Sequence, residues 1–231
     1  MSLLQRARAF KLMSEVAVLS GGYHLVKVVG NFIDAEEGVI EHRVSQLLSR
    51  RLLRHAGLEV EVTGAEHVEG LERYAVVCSH ASYIDWALLL GYFPAPLRFI
   101  AKRELTHLPF VGSFLRLRGV LIDRRAGRGA KEAIAAASKD GKSWPILLFA
   151  EGTRTPDGKL QPFKKSGLRI LAEAGRALLP VRIHGTFESM PRHTLAVIPG
   201  RLRLCIGEPV FPTPETIEES MAEVERRVAA L

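Results

Sequence analysis

At 231 residues the chain fits one domain with a small appendage, and it is long enough to bury a sizeable core. Hydrophobic residues at 47% and charged residues at 25% exclude a disordered chain. A net charge of +7 favours acidic partners: anionic lipid, a phosphorylated substrate or nucleic acid.

Residues 1–20 carry Arg6, Arg8 and Lys11 and read as a basic amphipathic helix closed by Gly21-Gly22. It either lies on a membrane surface or packs on the domain. The apolar stretch from Leu12 to Val29 is broken by Glu15, His24 and Lys27, whereas a spanning helix wants about 20 apolar residues. Glu15 and the lack of an Ala-x-Ala-like site also speak against a secretory signal. A second helix runs from about Ala35 to His55, acidic at its start and basic at its end, as the helix dipole favours. The division expected is an N-terminal helical segment over 1–57 and a main domain over 58–231.

Leu58 to Thr63 alternates as a strand. Tyr74 to Cys78 is a buried apolar strand that stops at Ser79-His80, and a helix is expected over about Tyr83 to Tyr92. His80 therefore sits at the carboxyl end of a strand, where open α/β sheets place ligands, with Asp85 in the first turn of the following helix. A carboxylate that accepts a hydrogen bond from one imidazole nitrogen leaves the other free to take a proton from a hydroxyl. Ser82 to Asp85 is also the spacing of a capping box, so both roles stay open for Asp85.

Further strands are expected at Leu97–Lys102, Gly119–Arg124, Trp144–Phe149, Leu178–Ile183 and Leu202–Ile206, and helices at 129–139, 166–174 and 214–231. The segment from His107 to Arg118 mixes large apolar residues with Arg116 and Arg118, as a core helix or as the wall of an acyl-binding or membrane-facing surface. Alternating strands and helices predict an α/β domain of three layers with a mostly parallel central sheet. Cys78 and Cys205 fall in buried strands without metal-type spacing and read as free thiols.

Three charged motifs follow three strands: His80 with Asp85, Asp123-Arg124, and Glu151-Gly152-Thr153-Arg154. Guanidinium groups bind phosphate oxygens through paired N–H donors, so two arginines near a histidine base suit a substrate with a phosphate and a hydroxyl. Gly152 lets a ligand approach the backbone. No Gly-x-Ser-x-Gly elbow, zinc motif, P-loop or dinucleotide fingerprint is present. A base and anion clamps without a covalent nucleophile suit direct attack of a hydroxyl on an activated acyl group.

With these motifs in hand, the chain resembles the glycerolipid (lysophosphatidic acid) acyltransferase family. The first motif of that family, a histidine followed five residues later by an aspartate, stands here as Ser79-His80-Ala81-Ser82-Tyr83-Ile84-Asp85. Its second resembles Gly119 to Arg124, its third Phe149-Ala150-Glu151-Gly152-Thr153-Arg154, and its fourth Leu179-Pro180-Val181. Ala101-Lys102 and Phe163-Lys164-Lys165 are also family-like. Ser79 and Ala150 depart from the family pattern and bear on acceptor preference rather than on ionisable positions.

The resemblance implies transfer of a fatty acyl group from acyl-CoA or acyl carrier protein to the hydroxyl of a lysophospholipid. The acceptor it points to first is 1-acyl-glycerol-3-phosphate, giving phosphatidic acid, with lyso-ornithine lipid as the alternative. It further implies His80 as general base and Asp85 as its orienter, with substrate bound by Lys102, Arg124, Glu151, Gly152, Thr153 and Arg154. No metal or bound cofactor is implied. Peripheral contact with an anionic membrane, on its cytoplasmic face, is expected. A non-catalytic lipid- or nucleic-acid-binding protein is the remaining alternative. Nucleic acid is disfavoured because aromatic residues make up only 7% and basic residues sit singly at strand ends.

Overall fold

A computed structural model describes residues 39–107, 111–123, 128–139, 144–191, 194 and 196–231. The basic segment over 1–20 lies outside the described residues, as do Leu108 and residues 124–127 with Arg124.

The chain enters through helix α1 (Val39–His55) and turns at Gly57 into strand β1 (Leu58–Thr63). There follow β2 (Tyr74–Cys78), α2 (Asp85–Tyr92), β3 (Arg98–Lys102), α3 (Val111–Arg118) and β4 (Val120–Ile122). After these come α4 (Arg128–Lys139), β5 (Ile146–Phe149), α5 (Lys165–Glu173) and β6 (Ala177–His184). The one-turn helix α6 (Thr186–Ser189), β7 (Gly200–Ile206) and α7 (Ile217–Ala230) complete it.

Among the described residues seven strands form one sheet in the order β1-β7-β6-β2-β5-β3-β4. The run from β6 to β4 is parallel throughout. β7 returns antiparallel to β6, and β1 lies parallel to β7. The connection from β6 to β7 begins with a tight turn. Gly185 sits there at φ +83°, and a Cβ on it would lie 2.1 Å from the Arg201 carbonyl oxygen. Only glycine permits both the left-handed conformation and the close approach.

β2 lies at the middle of the sheet, and every residue in it is buried. Its side chains alternate between two cores. Tyr74, Val76 and Cys78 join Leu53, Leu88 and Phe114 on the face covered by α1, α2 and α3. Ala75 and Val77 join Ile134, Leu171 and Val224 on the face covered by α4, α5 and α7. A strand covered on both faces must be apolar at every position, which is why it reads as an uninterrupted hydrophobic run. Burying one such side chain contributes roughly 1.5–3 kcal/mol. The three-layer α/β architecture with a mostly parallel sheet is therefore the observed one.

Two local expectations shift. The helix after His80 starts at Asp85 rather than near Tyr83, because residues 83 and 84 form a turn. Within the His107–Arg118 segment, Phe114 and Leu115 pack in the core, and Arg118 stacks on the Trp144 ring at 4.6 Å. For these residues the core role holds, not that of an exposed acyl-facing wall.

Candidate active site

Strands β2, β5 and β4 run in parallel, so Ser79-His80, Ala150-Glu151 and Asp123 emerge on one edge of the sheet. β5 is the direct neighbour of β2, which brings the third motif against the first. The backbone of His80 is fixed from both sides of this junction. Its N–H donates to Glu151 Oε1 at 2.6 Å, and its carbonyl accepts the Thr155 N–H at 2.9 Å. On the other flank Ser79 Oγ accepts the Ile183 N–H at 3.0 Å, tying the end of β2 to β6.

The imidazole of His80 stacks on the Phe149 ring, with centroids 3.9 Å apart and planes 14° from parallel. Its Nδ1 lies 2.8 Å from Asp85 Oδ2. That oxygen also accepts the N–H groups of Ala81 at 2.7 Å and Ser82 at 2.9 Å. Asp85 is fully buried, whereas the His80 side chain keeps 21% of its exposure. An ionised carboxylate only accepts hydrogen bonds, so Nδ1 carries the proton and Nε2 has the lone pair. The chain can fold back this way because residues 81–84 precede the helix. Ser82 Oγ donates to the Met190 carbonyl at 2.7 Å and accepts the Ile84 N–H at 3.3 Å.

The capping-box reading of Asp85 does not hold, since the helix starts at Asp85 with Ile84 as its N-cap and no side-chain cap bond; one Asp85 oxygen instead closes the preceding turn and holds the imidazole. The N–H groups of His80, Ala81, Ser82 and Ile84 are already taken by protein acceptors.

Glu151 is buried, and its two oxygens accept two backbone N–H groups, Oε1 from His80 and Oε2 from Gln161 at 2.9 Å. Burial raises its pKa above the ordinary glutamate value, and the two N–H donors oppose that shift. Its contacts are with the backbone that carries the His80 imidazole. Gly152 has φ +69°, and a Cβ there would lie 2.8 Å from Lys164 Cδ. The space opened by this glycine is occupied by the Lys164 side chain.

Thr153 is exposed, and Arg154 places its guanidinium carbon 3.5 Å above the centre of the Tyr83 ring. Lys102 is exposed at the carboxyl end of β3, on the same edge but two strand positions from β2. Arg124 lies outside the described residues; Asp123 before it is half-buried. The structure therefore brings His80, Asp85 and Glu151 together, places Arg154 on the Tyr83 ring, and leaves Thr153 and Lys102 exposed.

Thr155, Gln161 and Met190 escape sequence reading because they act on the site through backbone groups. Tyr83 is legible only as a position between Ser82 and Asp85. A cleft opens beside His80 and Glu151 toward β6 and α6, lined further by Lys159, His184 and Phe187.

A family model described as Acyltransferase matches residues 59–184. The chain is 32% identical over 179 residues to the 1-acyl-sn-glycerol-3-phosphate acyltransferase of Pseudomonas aeruginosa, covering 76% of this chain and 68% of that protein. It is 32% identical over 135 residues to the enzyme of that name from Borreliella burgdorferi, covering 57% of this chain and 53% of that protein. The chain thus spans between about half and two thirds of the length of these relatives. The crystal structure of the 1-acyl-sn-glycerophosphate (LPA) acyltransferase PlsC from Thermotoga maritima superposes with a TM-score of 0.78 at 30% identity, over 99% of this chain and 95% of that one. With His80, Asp85 and the Glu151–Arg154 motif all inside the matched span, the chain belongs to the acyltransferase family.

Proposed function

We propose that this acyltransferase moves a fatty acyl group from a thioester, acyl-CoA or acyl carrier protein, to the free hydroxyl of 1-acyl-sn-glycerol-3-phosphate, giving phosphatidic acid. The observation that carries this reading is the 2.8 Å contact of His80 Nδ1 with a fully buried Asp85 carboxylate. It supports Nε2 as the general base. In the reaction Nε2 takes the hydroxyl proton as the oxygen attacks the thioester carbonyl carbon. The tetrahedral intermediate then breaks its C–S bond, and the departing thiolate takes the proton from the imidazolium. Direct transfer is favoured because Cys78 is fully buried, and burial with the Asp85 and Glu151 charges pushes its thiol well above its ordinary value.

Arg154, with Arg124 by its place in the sequence, would hold the phosphate of the acceptor. The relatives named for the 1-acyl-sn-glycerol-3-phosphate reaction support this acceptor. The site residues Thr153 and Lys102 would act only at its rim.

The acceptor resides in a bilayer, so the enzyme is proposed to work peripherally at the cytoplasmic face. Among the described residues no helix is long and apolar enough to cross a membrane. With Phe114 and Leu115 committed to the core, docking falls first to the segment carrying Arg6, Arg8 and Lys11.

Purified protein assayed with acyl-CoA and acyl carrier protein thioesters against lysophosphatidate, monoacylglycerol and lyso-ornithine lipid tests the assignment. Transfer to lysophosphatidate that His80→Ala abolishes is the expected result. Transfer only to an acceptor without phosphate, or none at all, overturns it.

A further inference from the structure

We propose that Tyr83 is a positioning residue that sets Arg154 for the phosphate of the acceptor and so contributes to acceptor choice. The inference rests on reading Arg154 as the phosphate clamp and goes beyond it by saying what holds that clamp in place.

The two side chains come from different motifs. Tyr83 lies in the turn between Ser82 and Asp85, and the backbone there is tied down on both sides. Ser82 is held to Met190, and Asp85 holds the N–H groups of Ala81 and Ser82. On the other side, Thr155 fixes the chain next to Arg154 by donating its N–H to the His80 carbonyl. The guanidinium carbon stands 3.5 Å over the ring centre, the distance of two planes in van der Waals contact. Tyr83 is nonetheless 45% exposed, so burial of the ring in the core does not explain its place.

The chemistry of the stack suits a clamp. A guanidinium meets an aromatic ring with its face, while its N–H donors lie in the plane and point outward along the edge. Bidentate phosphate binding uses that edge. A ring beneath the face therefore fixes the plane of the fork without consuming the donors a phosphate needs. An arginine held this way loses less rotamer freedom on binding than one waving in solvent. The distance from Tyr83 to Asp85 is two residues, so the element that carries the orienter of the base also carries the support of the clamp.

The test compares Tyr83→Ala, Tyr83→Leu, Tyr83→Phe and Arg154→Ala in the full chain, with lysophosphatidate and monoacylglycerol presented in the same mixed micelles. Tyr83→Ala and Tyr83→Leu are expected to raise KM for lysophosphatidate roughly three- to tenfold, the range of a partly shielded cation–π contact. Their kcat stays within about twofold, and monoacylglycerol is used as before. Tyr83→Phe keeps the ring face and the wild-type ratio of the two acceptors. In an Arg154→Ala background, Tyr83→Ala adds no further loss, since the residue acts through the arginine.

Three results overturn the role of Tyr83 alone: an unchanged acceptor ratio in Tyr83→Ala, an equal loss with both acceptors, or a loss that adds to that of Arg154→Ala. Equal loss would mark the ring as a contact for the acyl chain or the lipid surface. If Arg154→Ala leaves the acceptor ratio at its wild-type value, the phosphate clamp falls, and the role of Tyr83 falls with it.

Discussion

One oxygen of Asp85, Oδ2, holds the His80 imidazole at 2.8 Å and at the same time closes the turn that presents it. The residue proposed to orient the base is thus also the one that shapes the turn carrying it. Asp85→Asn is expected to lower both turnover and stability. Hydrogen bonds to a charged acceptor contribute about 1.5–3 kcal/mol, so a drop of that order in unfolding free energy is expected in urea titrations. Catalysis should fall about 10²–10⁴-fold. A loss of stability with turnover intact would remove Asp85 from the mechanism.

His80→Ala should lose a similar factor in turnover with a smaller change in stability, because the side chain is partly exposed and its backbone contacts remain. The double variant His80→Ala/Asp85→Asn should be no slower than His80→Ala alone, since the two act as one unit. Rates that multiply would show that Asp85 works on catalysis by another route.

Glu151→Ala leaves two partly buried N–H groups, on His80 and Gln161, without their acceptor. Unsatisfied donors of this kind cost about 1–3 kcal/mol each. A lower melting temperature and a lower kcat are expected together, because the lost contact is with the backbone of the base. Loss of KM alone, at wild-type stability, would instead mark Glu151 as a substrate contact.

Arg154→Lys keeps the charge but not the planar fork or the stack on Tyr83. It should recover only part of the use of lysophosphatidate that Arg154→Ala loses, in steady-state kinetics with saturating thioester. Full recovery would mean that charge alone is recognised.

Burial is the main cause that holds His42 and His184 below the ordinary histidine pKa of 6.5, with Arg50 acting on the first and Arg182 and Arg203 on the second. The Leu231 carbonyl, which accepts from His184 Nε2, opposes the shift at that residue. Between the lowered folded value and 6.5 the unfolded chain binds more protons, so stability rises with pH there. Stability is complete above that window and is lost as pH falls through it. The His42→Gln/His184→Gln variant should show a smaller drop in melting temperature between about pH 7.5 and pH 5 than the parent protein. An unchanged drop would place the acid sensitivity elsewhere.

Much of this site was legible before the fold because its charged residues stand at the ends of apolar runs. The buried run Tyr74–Cys78 points to His80, and the run ending at Phe149 points to Glu151. What the chain order conceals is that β5 lies beside β2, although β3 and β4 come between them in sequence. The grip on His80 is equally silent, because Thr155 and Gln161 act through N–H groups that every non-proline residue has. The antiparallel pairing of β7 with β6 is equally hidden, because nothing in an alternating run states which neighbour it pairs with or in which direction.

Cys78 stands two residues from His80, in a strand buried at every position in the middle of the sheet. With a thioester as the proposed acyl donor, any sulfur of the protein that ionises nearby would compete for the acyl chain. Here the sulfur is walled in, and two neighbouring carboxylates disfavour its thiolate. Self-acylation by thioester exchange is thereby suppressed at the position where proximity would otherwise invite it. Disulfide reagents should consequently reach this thiol only when the central strand opens, which makes its labelling rate a clock for the breathing of the sheet around the proposed base.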